Sequence, residues 1–369
     1  MEVKGQIMSK NNTSNYSVAI IGAGASGLSA AYKLKKLGFK VDLYEKSTEL
    51  GGLAGAVKLS KGKIDSFYHH LFKSDKYILN FLKDINFDHN VIFKRTSTGH
   101  IWNNNYYDIS NILSFRFSNL LSNWGLIRLL IGGALIKYLP TNKKMNNKYI
   151  HKIINKLFGN EAGSRIWLPL LESKFGEYAK LMPYSWLKTR IQDRSVELGY
   201  ISKGFEVIYN HLANEISSSK VNIFTNKEVD EIKLSQDSKK LIIDGRNYDR
   251  AIITTSPSIN SKILKGVSYK ASKIKYLGAL CGILEFDKRP IPSYWLGIAE
   301  SNKENKNNYT NFLAAISYAE LDETWNQSGK PSWPLYLASY CTKEYFYKYS
   351  ENEWKTKMIK AAIELNKLS

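Results

Sequence analysis

Three glycines, Gly22, Gly24 and Gly27, punctuate the segment YSVAIIGAGASGLSAAYKLKKLGFKVDLYEK, and an acid, Glu45, follows eighteen residues after the last of them. Gly22 permits a tight strand-to-helix turn, Gly24 lets backbone N–H groups approach a pyrophosphate, and Gly27 lets the helix pack close to a sheet. A pyrophosphate there meets the positive end of the helix dipole, and Glu45 can accept hydrogen bonds from a ribose. The spacing is weak by itself; between a strand and a helix, with an acid at this distance, it marks a dinucleotide site. The second chemical signal is FYHHLF, Phe67 to Phe72, which sets two of the six histidines side by side. Adjacent histidines permit a metal pair, an acid/base couple, or a wall against a bound ring. No third ligand is spaced near them, so no metal is expected. Neighbours on a strand point to opposite faces, so one ring is expected to meet a ligand while the other is structural.

These residues need elements to hold them. Ser17 to Ile21 is a continuous apolar strand, Ala25 to Leu37 repeats apolar residues with helical period, and Phe39 to Tyr44 is a second strand. A second glycine-rich turn, STELGGLAG, then follows, with Gly51, Gly52 and Gly55; NAD domains usually have none there. VNIFTNKEV and AIITT suit strands. Residues 89–196 are expected to be mostly helical. Trp124 to Pro140 is the most apolar window, but Arg128, Lys137 and a Gly-Gly pair interrupt it, so it is no membrane span. It is expected to be a buried helix, with a helix lying on a membrane as the sharper alternative.

Composition narrows the partners. Lys+Arg 53 against Asp+Glu 33 gives a net charge of +20, which suits nucleic acid, an anionic membrane or a phosphorylated substrate. Arginine supplies only nine of those cations and no dense basic run or recognition motif occurs, so no nucleic-acid partner is expected. Cys281 and Cys341 lack CxxC spacing and argue for a reducing compartment. The polar residues 1–15 resemble a loose leader with no signal-peptide core. A cytoplasmic location follows, with room for peripheral membrane contact.

With its second glycine turn the chain resembles the FAD-dependent amine oxidase superfamily, which includes protoporphyrinogen oxidases, phytoene desaturases and UDP-galactopyranose mutases. Glu45, Lys46, Gly51 and Gly52 match the pattern E-(K/R)-x-x-x-x-G-G. The resemblance implies FAD as cofactor, with Ala25, Ser26 and Leu53 beside these residues. It also implies Val229 at the adenine and Thr255, of TSP, over the cofactor. By analogy with the mutase stretch G-P-H-I-F, it sets His70 at the flavin ring, as hydrogen-bond donor or proton relay. Arg194, and less directly Arg190, take the place of a mutase arginine that holds a substrate diphosphate; a surface arginine paired with Glu197 or Asp193 is the plainer alternative. Tyr294, Trp295, Tyr309 and Asn311 can line a substrate pocket or simply pack.

The expected fold is an α/β composite: a discontinuous Rossmann-like FAD domain, residues 16–88 and 197–266, with an inserted helical and antiparallel-sheet substrate domain, residues 89–196 and 267–369. Family members continue to a final strand and a helix facing the flavin, and that element is expected to be missing here. No G-x-S-x-G, Cys-His or H-E-x-x-H arrangement competes with flavin chemistry. The first expectation is hydride removal from a hydrophobic or amphipathic small molecule. A mutase-like rearrangement of a nucleotide sugar is the second, and a binding-only flavoprotein fold is the third.

Overall fold

The structure is a computed structural model that describes residues 15–88, 91–195, 197–264, 274–298, 311–325 and 331–368. Of the expected leader only Asn15 falls within them, and Tyr309 lies outside the described residues. Strand β1 (Ser17–Ile21) runs into helix α1 (Ala25–Lys36) and strand β2 (Lys40–Tyr44). β1 is one of the two inner strands of a four-stranded parallel sheet: β2 flanks it on one side and Arg250–Ile253 on the other, and Val221–Phe224 extends the sheet beyond β2. The inner strands β1 and β2 are largely buried, as a parallel sheet covered on both faces requires, while the edge strands expose Asn222 and Arg250. Leu28, Ala31 and Tyr32 of α1 pack with Ile208, Tyr209 and Leu212 of the helix Glu206–Ile216 in one core.

A second sheet of six strands has the order Gly278–Phe286, Trp333–Cys341, Ala314–Ser317, Trp295–Ile298, Thr98–Trp102, Asn105–Asp108. Residues 89–196 therefore do not begin with helix: Val91–Arg95, Thr98–Trp102 and Asn105–Asp108 are strands, two of which extend the sheet built from residues 278–341. TGHIW and NYYD bracket Asn103 and Asn104, both at positive φ, in a tight hairpin, and Thr98–Ile101 then pairs with Trp295–Ile298. Helices then run from Ile112 to Gln192 around Ile150, Ile154, Phe158 and Leu187. Helix Glu351–Asn366 opens on a capping box of Ser350 and Glu353 and buries Met358, Ala361 and Leu365 under the sheet.

Between the two lies a three-stranded antiparallel piece in which Glu197–Ile201 pairs with both Leu71–Phe72 and Val91–Arg95. This piece sets the FYHHLF stretch beside the chain that leaves the helix Tyr184–Gln192.

Candidate functional site

The two glycine turns meet at the carboxyl end of the parallel sheet, where ligands bind in open α/β folds. Gly24 and Gly51 form a parallel bridge, and Gly51 N–H donates to Ala23 O at 2.9 Å. A Cβ on Gly27 would lie 1.9 Å from Gly22 O, so only glycine lets α1 start this close to the turn. Above Gly24 a Cβ would meet nothing nearer than Gly52 Cα at 3.9 Å: the absent side chain leaves a cradle. No side chain caps the N-terminus of α1, and Ala25 and Ser26 are exposed there. Glu45 is buried, and its two oxygens accept from Ala23 N–H at 2.8 Å and Ser47 N–H at 2.9 Å, tying both turns to one carboxylate. Thr254 Oγ1 donates to Ile21 O and Gly22 O, both at 2.9 Å, and the neighbouring Thr255 Oγ1 bonds the Asn260 side chain at 2.6 Å. Lys46 and Leu53 are exposed on the same rim. Val229 is buried with Tyr44 and Ile21. Open amides on a helix N-terminus, facing a side-chain-free cradle, fit the pyrophosphate of a dinucleotide.

The second cluster is cationic. His69 and His70 lie in extended chain just before the strand Leu71–Phe72, not within it. Their rings nevertheless diverge, His69 toward Phe205 (5.5 Å between centroids) and His70 toward Phe72 (5.1 Å). Both Nδ1 atoms are buried and have no hydrogen-bond partner among the described residues. Burial pushes His70 down to about 4, with Arg194, His69 and Arg190 adding to the shift. Arg194 lies over the Phe72 ring at 6.0 Å and Arg190 over Trp186 at 5.6 Å. Solvent reaches Arg194, yet protein crowds it enough to hold it below its ordinary value, with Arg190 contributing; that combination describes the wall of a cleft.

Lys174, in the helix Leu168–Phe175, completes the cluster. Its ammonium sits over Tyr340 (5.2 Å), Trp186 (5.9 Å) and Phe175 (6.0 Å). Burial lowers it to about 8, helped by Arg190 and Arg194. Among the described residues none of these three cations pairs with a carboxylate. Glu197, one of the two acids that the plainer alternative paired with Arg194, is bound by Lys73 instead. Three cations sharing one aromatic cleft repel one another, and an anion supplied from outside relieves that repulsion.

The remaining expected residues divide. Trp295 packs edge-on against Tyr68 (5.2 Å), which in turn meets Tyr336 (6.1 Å). Burial, with Tyr340 assisting, raises the Tyr68 phenol far above its ordinary value. Asn311 lines a cavity of about 470 Å³ with Phe175, Leu313, Tyr340 and Tyr345, on the Lys174 side of the sheet. Tyr294 is fully buried, and its hydroxyl has no hydrogen-bond partner among the described residues.

Two groups escaped the sequence reading. Lys174 is one lysine among many, and nothing in its neighbours signals burial. Asp65 is wholly buried and accepts from Phe205 N–H at 2.8 Å, beside Gly204 at φ +83°, while its Oδ2 has no partner among the described residues. Burial raises it to about 7, against the opposing pull of the Phe205 N–H and with a further push from Glu206. Asp65 ends the short strand Lys63–Asp65, and nothing in its sequence neighbours signals that environment.

A parallel sheet with paired glycine turns, joined to a six-stranded sheet with a helical flank, defines a dinucleotide-binding α/β protein. The sequence matches the model of the flavin containing amine oxidoreductase family over residues 25–359, and the chain belongs to that family. Its cofactor is FAD. It is 27% identical over 289 residues to a coproporphyrinogen III oxidase of Staphylococcus aureus, covering 65% of this chain and 60% of that one. Over 101 residues it is 35% identical to a zeta-carotene desaturase of Solanum lycopersicum, 27% of this chain and 17% of the relative. The chain spans from 14% to 60% of the length of such curated relatives. A crystal structure of reduced UDP-galactopyranose mutase matches 95% of this chain and 78% of its own at a TM-score of 0.68 and 18% identity, a likeness of fold.

Proposed function

We propose that the chain is an FAD-dependent oxidoreductase acting on an amphipathic small molecule with an anionic end. The observation that carries this reading is the uncompensated trio Lys174, Arg190 and Arg194 in an aromatic cleft beside His70. FAD would be held by Gly22, Gly24, Gly27, Gly51 and Gly52, with its pyrophosphate on the amides of Ala25 and Ser26. Glu45, Lys46, Leu53, Val229 and Thr255 complete the expected cofactor contacts. When bound, the flavin supplies the hydride acceptor, and the protein supplies position and electrostatics.

The chain's own residues then divide the work. The guanidinium forks of Arg190 and Arg194 grip a carboxylate or phosphate, and Lys174 adds a third positive charge. Phe72, Trp186 and Tyr340 cover the apolar body. His70, neutral at pH 7 because burial and two arginines oppose its protonation, suits a hydrogen-bond donor better than a proton relay. A second reading, favoured by the same arginines, is a mutase-like enzyme that holds a nucleotide-sugar diphosphate. The fold likeness to the mutase is compatible with it.

Anaerobic mixing of the flavin-loaded protein with amphipathic carboxylates and with nucleotide sugars separates the two. Bleaching of the oxidised flavin by the former, with about ten-fold more substrate needed in Arg194→Ala, is the expected result. Turnover of a nucleotide sugar only after chemical reduction, with no net electron transfer, overturns it in favour of the mutase reading.

A further inference from the structure

Helix α2 (Lys76–Asp84) packs on the cofactor core, and two helices follow the hairpin, α3 (Ile112–Phe117) and α4 (Asn123–Tyr138). One side of α4 is the expected buried helix: Leu126, Gly132 and Ile136 pack inward, and Gly132 lets the backbone of Leu157 come close. The other side is also apolar, but it faces solvent. Trp124 (68% exposed), Ile127, Leu130, Ile131, Leu135 and Tyr138 (75%) all lie open. At about 100° per residue these six fall within an arc of roughly 140°, with Arg128 at one margin and Lys137 at the other. Five residues upstream, α3 exposes Ile112, Leu113 and Phe117.

We propose that this face of α4 lies in the plane of a lipid bilayer that carries anionic headgroups. Charge selects the occupant. Residues 109–160 hold eight Lys and Arg and no Asp or Glu, in a chain with 33 acids. A second copy docking on the same face would bring two acid-free, cationic segments together, because a two-fold contact pairs a patch with itself. An anionic bilayer complements both features: the apolar arc enters the acyl boundary while the marginal cations, with Lys143 and Lys144 beyond the helix end, meet the headgroups. No described helix is long and apolar enough to cross a membrane, so the contact is in-plane.

Flotation of the flavin-loaded full chain tests this. Phosphatidylcholine vesicles containing phosphatidylglycerol should carry up about ten-fold more protein than phosphatidylcholine alone, and added salt should reduce the difference. Ile131→Gln with Leu135→Gln, both on the exposed arc, should lower binding about ten-fold at unchanged flavin content and circular dichroism. Three results overturn the proposal. The wild type does not float with anionic vesicles; the double variant floats as well as wild type; or wild type elutes as a dimer that the double variant converts to monomer, which assigns the face to a second copy.

Discussion

Asp65 shows what burial does to a single residue. Its carboxyl is fully buried, has one backbone donor, and titrates at about 7 instead of 3.8. The folded protein thus keeps a proton that the unfolded chain releases above its ordinary pKa. Stability contributed by this proton is fully present below about pH 4, falls as pH rises, and is lost by about pH 7, at a cost of at most about 4 kcal/mol. Asp65→Asn keeps an acceptor for Phe205 N–H and cannot ionise. Denaturant unfolding between pH 4 and pH 8 should show a flatter dependence in the variant. An unchanged slope would mean that Asp65 ionises freely in the fold. His70 behaves oppositely: its depressed value favours the neutral ring, and the associated stability is lost as pH falls from about 6.5 through about 4. The Asp65 environment was not legible in the sequence, because desolvation is set by Gly204, Phe205 and Tyr336, residues far along the chain.

At the scale of elements, the β1–α1–β2 unit was legible almost to the residue. The expected helix Ala25–Leu37 ends one position earlier, at Lys36, and the second strand begins at Lys40 instead of Phe39. Such local units follow from apolar period and glycine placement. The helix start depends on a contact the sequence only implied. Gly27→Ala places its Cβ 1.9 Å from Gly22 O, and α1 must move off the turn. We expect a loss of about 1–3 kcal/mol in thermal or denaturant stability, together with release of flavin on desalting. Retained flavin at wild-type stability would show that the turn can open. The hairpin Thr98–Asp108 was not legible in the same way, because its strands complete a sheet whose other members come from residues 278–341.

At the scale of the whole molecule, a buried polar contact ties the six-stranded sheet to the short strand Lys63–Asp65, which follows the second glycine turn and pairs with Ala56–Lys58. Tyr336, on the strand Trp333–Cys341, donates to Asp65 O at 2.7 Å with its hydroxyl wholly buried. Tyr336→Phe leaves that carbonyl without its donor and should cost about 1–2 kcal/mol, read from the denaturant midpoint at constant slope. A midpoint equal to wild type would mean that this contact contributes nothing to holding the strand Lys63–Asp65 on the six-stranded sheet.

The sequence by itself determined the dinucleotide turn, its acid and the second glycine turn, since the chemistry of each is carried by a few neighbouring residues. It also carried the uneven charge of residues 109–160, although its meaning depends on which side of α4 faces out. Tertiary structure decided the rest. It brought Lys174 from one helix, Arg190 from another, Arg194 from a connecting loop and His70 from the chain before a short strand into one cleft. It gave Glu197 to Lys73 and left the arginines without a carboxylate. Mutual repulsion and desolvation act through space, and distance along the chain does not encode them.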